Sequence, residues 1–423
     1  MSKKADNQEN VKKGEFEMAD IRPFCAVRPA VDLADKIAAL PYDVYNREEA
    51  CRVVEGNPLS FLRIDRAETN FDDSVSTYAP EVYAKAKELI EDMIVKGQFV
   101  EDTDSCYYIY RLTMNGRAQS GIVACSSVDD YCNNVIMKHE NTREEKEVDR
   151  IRHIDTTSCQ TGPIFLAFRD VPTISNIMEE EEAKEPLYCF TADDGVEHCV
   201  WKISSTENNE KLQAAFSMMD KIYIADGHHR CASAVKVGLQ RRKEGVTQES
   251  DYFLSVLFPE SELKILDYNR VLKDLNGKTV DDIMDELKVH FAIEESDTAV
   301  APAKKGEFGM ILDDKWYKLT IKDEFTNNDP VEGLDVSLLQ NYVLDPIFGI
   351  KNPKTDNRID FVGGIRGLGE LERRNKLDCS AAFSMYPTSI EELFAVADEG
   401  KLMPPKSTWF EPKLRSGLFI HKI

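Results

Sequence analysis

The sequence Lys221-Ile-Tyr-Ile-Ala-Asp226-Gly227-His228-His229-Arg230 decides the fold around it, and it continues as Cys231-Ala-Ser-Ala-Val-Lys-Val-Gly. Residues 221–225 are mostly apolar, with β-branched and aromatic members, which predicts a buried strand. Asp226-Gly227 is a turn signal. The alanine-rich segment from His228 onward is apolar at helical spacing, so it predicts a helix. The stretch therefore predicts a strand, a tight glycine turn and the N-terminus of a helix.

This turn has the composition of a phosphate-binding site. The first N–H groups of a helix have no partner within the helix and carry the positive end of its dipole, so they bind anions. Arg230 adds a cation, and His228 and His229 add imidazoles beside Gly227. The Asp226 carboxylate could hold Mg²⁺ or take a proton from a hydroxyl. The alternative is that Asp226 only caps the helix and the histidines pack or face solvent.

A second polar pair, His139-Glu140, follows an apolar segment at 134–138 that predicts a strand. Ligand-binding and catalytic groups often lie where strands end. A histidine and a glutamate alone are a weak signal, so this pair depends mainly on the resemblance that follows.

The Asp226–Arg230 turn is similar to the glycine-histidine-arginine turn of the ParB/sulfiredoxin-like superfamily. More closely, the chain resembles a large family of uncharacterised bacterial and archaeal proteins related to the free L-serine kinases. The segments that carry this resemblance are Arg22-Pro-Phe, Arg28-Pro, Pro41-Tyr-Asp-Val, Asn57-Pro-Leu-Ser-Phe-Leu-Arg63, His139-Glu-Asn-Thr, Asp226-Gly-His-His-Arg, Thr161-Gly-Pro-Ile-Phe-Leu and Met403-Pro-Pro-Lys-Ser-Thr-Trp-Phe.

The resemblance implies serine-kinase chemistry with ATP or ADP and Mg²⁺. Nucleotide phosphates would lie on Gly227, His228, His229 and Arg230, with His139 nearby. Asp226 would act with the metal ion. Those kinases use an upstream glutamate as base, and Glu140 is the candidate for it here.

Composition limits the classes of function. The chain has 53 Lys and Arg against 76 Asp and Glu, a formal charge of −23, which disfavours nucleic acid and anionic membranes as partners. Residues 1–17 are polar and predict a loose tail without a signal peptide. The ten cysteines include no Cys-x-x-Cys pair, and scattered unpaired cysteines predict a reducing, cytoplasmic location.

Hairpins interleaved with helices predict an α+β fold with mixed sheets. The resemblance implies that this fold contains a ParB/sulfiredoxin-like core. The hairpin turns are Asn115-Gly116, Asp194-Gly195 and Asp313-Asp314. Residues 59–64 predict a strand, and residues 336–348 predict one helix. We expect an N-terminal region at 18–245 with the core, and a C-terminal α+β region at 246–423 with a soft boundary.

Three functions are open. The first is a small-molecule kinase acting on a free hydroxyl metabolite, with L-serine as the first candidate, because phosphoryl transfer needs positioning, charge neutralisation and a carboxylate. The second is a ParB-like nucleotide-binding or nucleotide-hydrolysing switch without kinase activity. The third is a sulfiredoxin-like redox enzyme, in which Cys231 would be the reactive thiol, although it stands one residue past Arg230 and not before the histidine.

Overall fold

The computed structural model describes residues 18–142, 144–245 and 249–423. The predicted tail at 1–17 and the residues just after the predicted domain boundary, 246–248, lie outside the described residues. The strands, β1 to β21 in chain order, are Ile21–Arg22, Val27–Pro29, Phe99–Glu101, Tyr108–Met114, Arg117–Ser127, Ile136–Met137, Cys159–Gln160, Ile164–Phe168, Tyr188–Thr191, Glu197–Lys202, Ile222–Asp226, Tyr252–Pro259, Ile265–Leu266, Tyr268–Leu272, Phe291–Ser296, Glu307–Leu312, Lys315–Ile321, Ile359–Gly363, Ala381–Met385, Trp409–Phe410 and His421–Lys422.

The α-helices, α1 to α13 in chain order, are Ala34–Ile37, Arg47–Gly56, Leu62–Asp65, Pro80–Val95, Val128–Cys132, Glu144–Thr157, Pro172–Glu182, Thr206–Phe216, His228–Lys243, Val280–His290, Asp335–Leu339, Leu368–Leu377 and Ile390–Asp398. None of the helices in the described part of the chain is long and apolar enough to cross a lipid bilayer.

Two large sheets organise the fold. The first has the order β6-β11-β8-β12-β5-β4-β10-β9, with β1 added against β5. Its β6–β11 and β8–β12 pairs are parallel and its other pairs are antiparallel. The second has the order β15-β17-β16-β19-β14-β18. The predicted α+β class, with mixed sheets, hairpins and interleaved helices, is confirmed.

The hairpin predictions follow from turn chemistry and agree with the structure. Asn115 and Gly116 both have positive φ between β4 and β5, as a two-residue turn that matches the strand twist requires. Asp313 and Asp314 do the same between β16 and β17. Gly195, also with positive φ, lies in the turn between β9 and β10.

Two element predictions are wrong. Residues 59–64 do not form a strand: the chain turns and enters α3, whose Leu62 and Ile64 are buried. A short apolar run fits a strand or a buried helix equally well, and packing against α4 decides for the helix. The single helix predicted at 336–348 is not formed. The α-helix ends at Leu339, and a π-helical turn follows it over Gln340–Leu344.

The end of the chain returns to the first half of the molecule. Strand β21 pairs with β7, and Ile420 forms a bridge with Val27. Leu418 and Phe419 are fully buried. This return brings the residues just before them, around Lys413, to the end of β11. The division of the chain between 245 and 246 stays a proposal, and β12, which follows it, lies in the first sheet.

The cysteine prediction needs a correction, because Cys189 and Cys199 form a disulfide. They lie directly opposite each other on the antiparallel strands β9 and β10. Sequence spacing could not reveal this pair, because the two residues are ten positions apart in the chain and only the register of the hairpin places them opposite each other. The other eight cysteines are free thiols.

Candidate functional site

The predicted strand-turn-helix is β11, Gly227 and α9. Ile222 to Ala225 are buried, and the register against β8 shifts between Ile224 and Asp226. Such a shift re-aims the side chain at the strand end, and here that side chain is Asp226. Gly227 has φ +91°, a conformation that side chains other than glycine's disfavour.

Asp226 does not cap helix α9. Gly227 is the N-cap residue, and Asp226 Oδ1 accepts a hydrogen bond from the Gly227 N–H at 2.8 Å. The first helical bond of α9 runs from the Cys231 N–H to the Gly227 carbonyl. The N–H groups of residues 228–230 therefore precede the helical ladder, at the end of a helix where anions bind.

Asp226 is held ionised by two cations. Its Oδ2 lies 3.1 Å from the Lys413 Nζ. Burial favours the neutral acid, but the charges of Lys413 and Arg230 outweigh it and hold the pKa of Asp226 well below its usual range. Burial also opposes the charge of Lys413, whose pKa is nevertheless raised by Asp226 and Glu411. The Asp226 carboxylate at this turn is thus in direct contact with the ammonium group of Lys413.

Arg230 folds back over the turn. Its Nη1 donates to the Pro163 carbonyl at 2.8 Å, and its guanidinium passes 3.1 Å from the point where a Cβ on Gly227 would lie. The glycine is therefore required twice, for its φ angle and for the space that the guanidinium occupies. The carbonyl of Pro163 fixes the orientation of Arg230 at the mouth of the site.

His139 and His228 form a buried pair. Their rings meet edge to face with centroids 4.5 Å apart. Burial lowers the pKa of His139 to about 4, and burial together with His139 lowers that of His228, so both imidazoles are neutral at pH 7. His139 Nδ1 and His228 Nε2 are buried and have no hydrogen-bond partner among the residues that the structure describes. The two nitrogens are available to a bound molecule.

Glu140 and Asp226 line the same space. Strand β6 runs parallel to β11, so the carboxyl ends of the two strands meet at one edge of the sheet. The space consists of two adjoining cavities of about 440 and 650 Å³, both bordered by Glu140, Asp226, His228 and Arg230. Each of these two volumes is in the range of small-ligand sites. His229 borders the smaller cavity and His139 the larger one.

Sequence reasoning missed part of this site. Lys413 carries no local signal, since it lies 187 residues after Asp226. Tyr42 and Asp43 line the cavity from the N-terminal turn, and Lys354 lines it from the loop before β18. The turn Pro41-Tyr-Asp-Val is one of the segments that carry the family resemblance, which was the available hint. Lys406, in the segment from Met403 to Phe410 that also carries the resemblance, borders both cavities.

The donors fit a nucleotide with Mg²⁺. Hard oxygen ligands suit this ion, and Asp43, Glu140, Asp226 and Asp356 place carboxylates around the smaller cavity. Asp226 keeps a second lone pair on each oxygen beyond its contacts with Gly227 and Lys413. Backbone N–H groups, Arg230, Lys354 and Lys406 suit phosphates.

The redox alternative has no support at Cys231. This thiol is fully buried in the core, and burial raises its pKa far above the usual range. A reactive cysteine needs an accessible thiolate.

The protein is an α+β protein with mixed sheets, and an acid, a helix N-terminus and several cations lie together at the ends of its strands. Residues 21–337 match the family described as "Protein of unknown function (DUF1015)", and the chain belongs to this family. Among curated proteins, none matches this chain.

Solved structures resemble the chain at a low level. A free serine kinase in complex with AMP is 16% identical over 69% of this chain and 86% of that chain, with a TM-score of 0.34. A mutant free serine kinase in complex with ADP is 15% identical over 70% and 88%, with a TM-score of 0.34. SbnI with a C-terminal truncation, from Staphylococcus aureus, is 12% identical over 68% and 82%, with a TM-score of 0.36. At these values no residue's role is transferred.

Proposed function

We propose that this protein is a nucleotide-dependent small-molecule kinase that phosphorylates the hydroxyl of a free metabolite. The observation that carries the proposal is that two carboxylates, Asp226 and Glu140, border one cavity together with the N-terminus of α9. L-serine is the first acceptor to test, because of the family resemblance in the sequence. ATP and ADP are the candidate phosphate donors.

Each group has a role in this proposal. The N–H groups at the start of α9 and the Arg230 guanidinium hold the nucleotide phosphates. Asp226, kept ionised by Lys413 and Arg230, holds Mg²⁺, which neutralises charge on the phosphates when it is bound. The neutral His139 and His228 offer their buried nitrogens to the nucleotide without adding charge.

Glu140 is the proposed general base. It accepts the hydroxyl proton as the acceptor oxygen bonds to the transferred phosphorus and the bond to the nucleotide's leaving oxygen breaks. Lys413 and Lys406 border the larger cavity, where their charges favour the developing negative charge on the oxygens of the transferred group.

The test is an assay of purified protein with Mg²⁺, ATP or ADP, and L-serine, with detection of O-phosphoserine. A panel of hydroxylated metabolites replaces serine in parallel. If nucleotide binds but no phosphorylated product forms with any of them, the kinase proposal is wrong and the nucleotide-switch hypothesis replaces it.

Two variants test the assignment of the acids. Asp226→Asn and Glu140→Gln should each lower kcat by roughly a hundredfold or more while nucleotide affinity changes little, because both groups act mainly in the transition state. Glu324→Gln, at an exposed glutamate, is the matched control and should keep parental activity. If Glu140→Gln is fully active and Asp226→Asn is inactive, only the base assignment is wrong.

A further inference from the structure

A third cavity, of about 230 Å³, lies in the C-terminal half beside the site. Its polar lining comes from Arg270, Gln340, Lys351 and Asn352, and its apolar lining includes Val336 and Leu344. It shares Pro353, Phe361 and Pro405 with the smaller of the two cavities at Asp226. We call it the Arg270 cavity. A molecule in it therefore lies next to the proposed phosphate site.

Arg270 is a buried cation without a counter-ion. Its side chain is on β14, only 3% of the residue is exposed, and it donates to the carbonyls of Tyr268 and Lys406. Among the described residues no carboxylate forms an ion pair with it, and burial lowers its pKa to about 10. The guanidinium is thus still charged at pH 7. Buried charges are normally paired, because an uncompensated one is costly.

Gln340 leaves an acceptor unused at the same cavity. It begins the π-helical turn Gln340–Leu344, and its Nε2 donates to the Ile350 carbonyl at 2.7 Å. Its Oε1 is buried and accepts no hydrogen bond from any residue in the described part of the chain. Such π-helical turns occur often at functional sites. An N–H or O–H donor on a bound molecule would satisfy this oxygen.

These features define one kind of ligand. The positive charges of Arg270 and of the exposed Lys351 favour an anionic ligand. Gln340 Oε1 favours a hydrogen-bond donor close to that anion. Apolar walls and the small volume favour a short organic acid over a bulky or highly hydrated ion. A planar guanidinium matches a carboxylate.

We propose that the Arg270 cavity is a subsite for a small carboxylic acid that bears a neighbouring hydroxyl or ammonium group. Arg270 and Lys351 hold the carboxylate, and Gln340 Oε1 accepts from the neighbouring donor. If the proposed kinase function holds, on which this step rests, the acceptor is a hydroxylated carboxylic acid whose hydroxyl end reaches the Asp226 cavity past Phe361.

Binding can be tested without any phosphoryl transfer. Calorimetry with L-serine and D-glycerate, against ethanolamine and glycerol as counterparts that lack the carboxylate, measures the subsite directly. We expect the two acids to bind at least tenfold more tightly than their counterparts, as the loss of a charge-assisted contact implies. Equal affinity within each pair, or no binding of either acid, would overturn the proposal.

Variants locate the binding. Arg270→Met and Lys351→Met should each weaken the binding of the acids by roughly tenfold or more. Lys351 is exposed, so its variant stays informative if Arg270→Met fails to fold. Lys376→Met, at an exposed lysine on α12, is the control and should bind like the parent. Parental affinity in a folded Lys351→Met and in a folded Arg270→Met overturns the assignment.

The two proposals fail in different ways. If the acids bind through Arg270 and no phosphorylated product forms, the carboxylate subsite stands and the kinase proposal is wrong. If ethanolamine is phosphorylated as efficiently as L-serine, the kinase stands and the carboxylate subsite is wrong.

Discussion

At the scale of single residues, the contact between Asp226 and Lys413 determines the charge of the site. The pKa of the aspartate is lowered in the folded protein and that of the lysine is raised. The stability from the aspartate is therefore present above its unfolded value, about pH 4, and is lost as pH falls further. The stability from the lysine is present below about pH 10 and is lost as pH rises through its folded value.

Lys413→Met should lower the free energy of unfolding at pH 7 by about 1 kcal/mol, because roughly a third of the Asp226 side chain is exposed and solvent screens the pair. Urea unfolding measures this difference, which should narrow only as pH falls through the lowered folded-state pKa of Asp226. Lys211→Met, which breaks an exposed pair with Glu207, is the control. Equal free energies of unfolding for Lys413→Met and the parent at pH 7 contradict the prediction.

Arg230→Ala should weaken nucleotide binding by about 1.5–3 kcal/mol, the value of a charge-assisted contact. The guanidinium is already oriented by the Pro163 carbonyl, so little ordering is needed on binding. Calorimetry with ADP and Mg²⁺ measures the affinity. Unchanged affinity in a variant that melts like the parent means that Arg230 does not contact the phosphates.

At the scale of elements, the turn from β11 into α9 depends on Gly227. Gly227→Ala places a Cβ at φ +91° and 3.1 Å from two nitrogens of Arg230. We expect a loss of about 1–2 kcal/mol in stability from the backbone, and weaker nucleotide binding because Arg230 must move. Thermal unfolding and calorimetry measure the two effects.

Gly116→Ala is the control that separates the effect of backbone strain on stability from the effect of moving Arg230 on nucleotide binding. Gly116 also has positive φ, at +78°, but a Cβ there would meet nothing within 4 Å. The variant should lose similar stability and keep parental nucleotide affinity. Equal loss of affinity in both variants indicates that general destabilisation, and not the displacement of Arg230, weakens binding.

At the scale of the whole molecule, the returning C-terminal segment holds Lys413 against β11. Phe419 is fully buried in this segment, and its ring packs 5.3 Å from that of Tyr108. Phe419→Ala should cost about 3–5 kcal/mol of unfolding free energy, measured in urea. Leu377→Ala, at a side chain that is 69% exposed, should cost much less. Similar stability in both variants would mean that the segment is not anchored by its core contacts.

Local sequence determined much of the fold. Asn115-Gly116 predicted its hairpin because few residues adopt positive φ at both turn positions. The secondary structure of residues 59–64 could not be predicted, because a short apolar run forms a strand or a helix according to the elements it packs against. The disulfide between Cys189 and Cys199 could not be predicted either, because only the register of the two strands makes these residues neighbours.

The sequence by itself determined the strand, the glycine turn and the helix around Asp226, because φ preference, apolar pattern and helix propensity all act within a few residues. It also indicated Glu140, through a resemblance. Only the tertiary structure decided that Lys413 keeps Asp226 ionised, and that Arg270 is buried with no carboxylate of the described residues paired to it. Charge and burial depend on distances between residues far apart in the chain, and those distances exist only once the sheets and the C-terminal segment have packed.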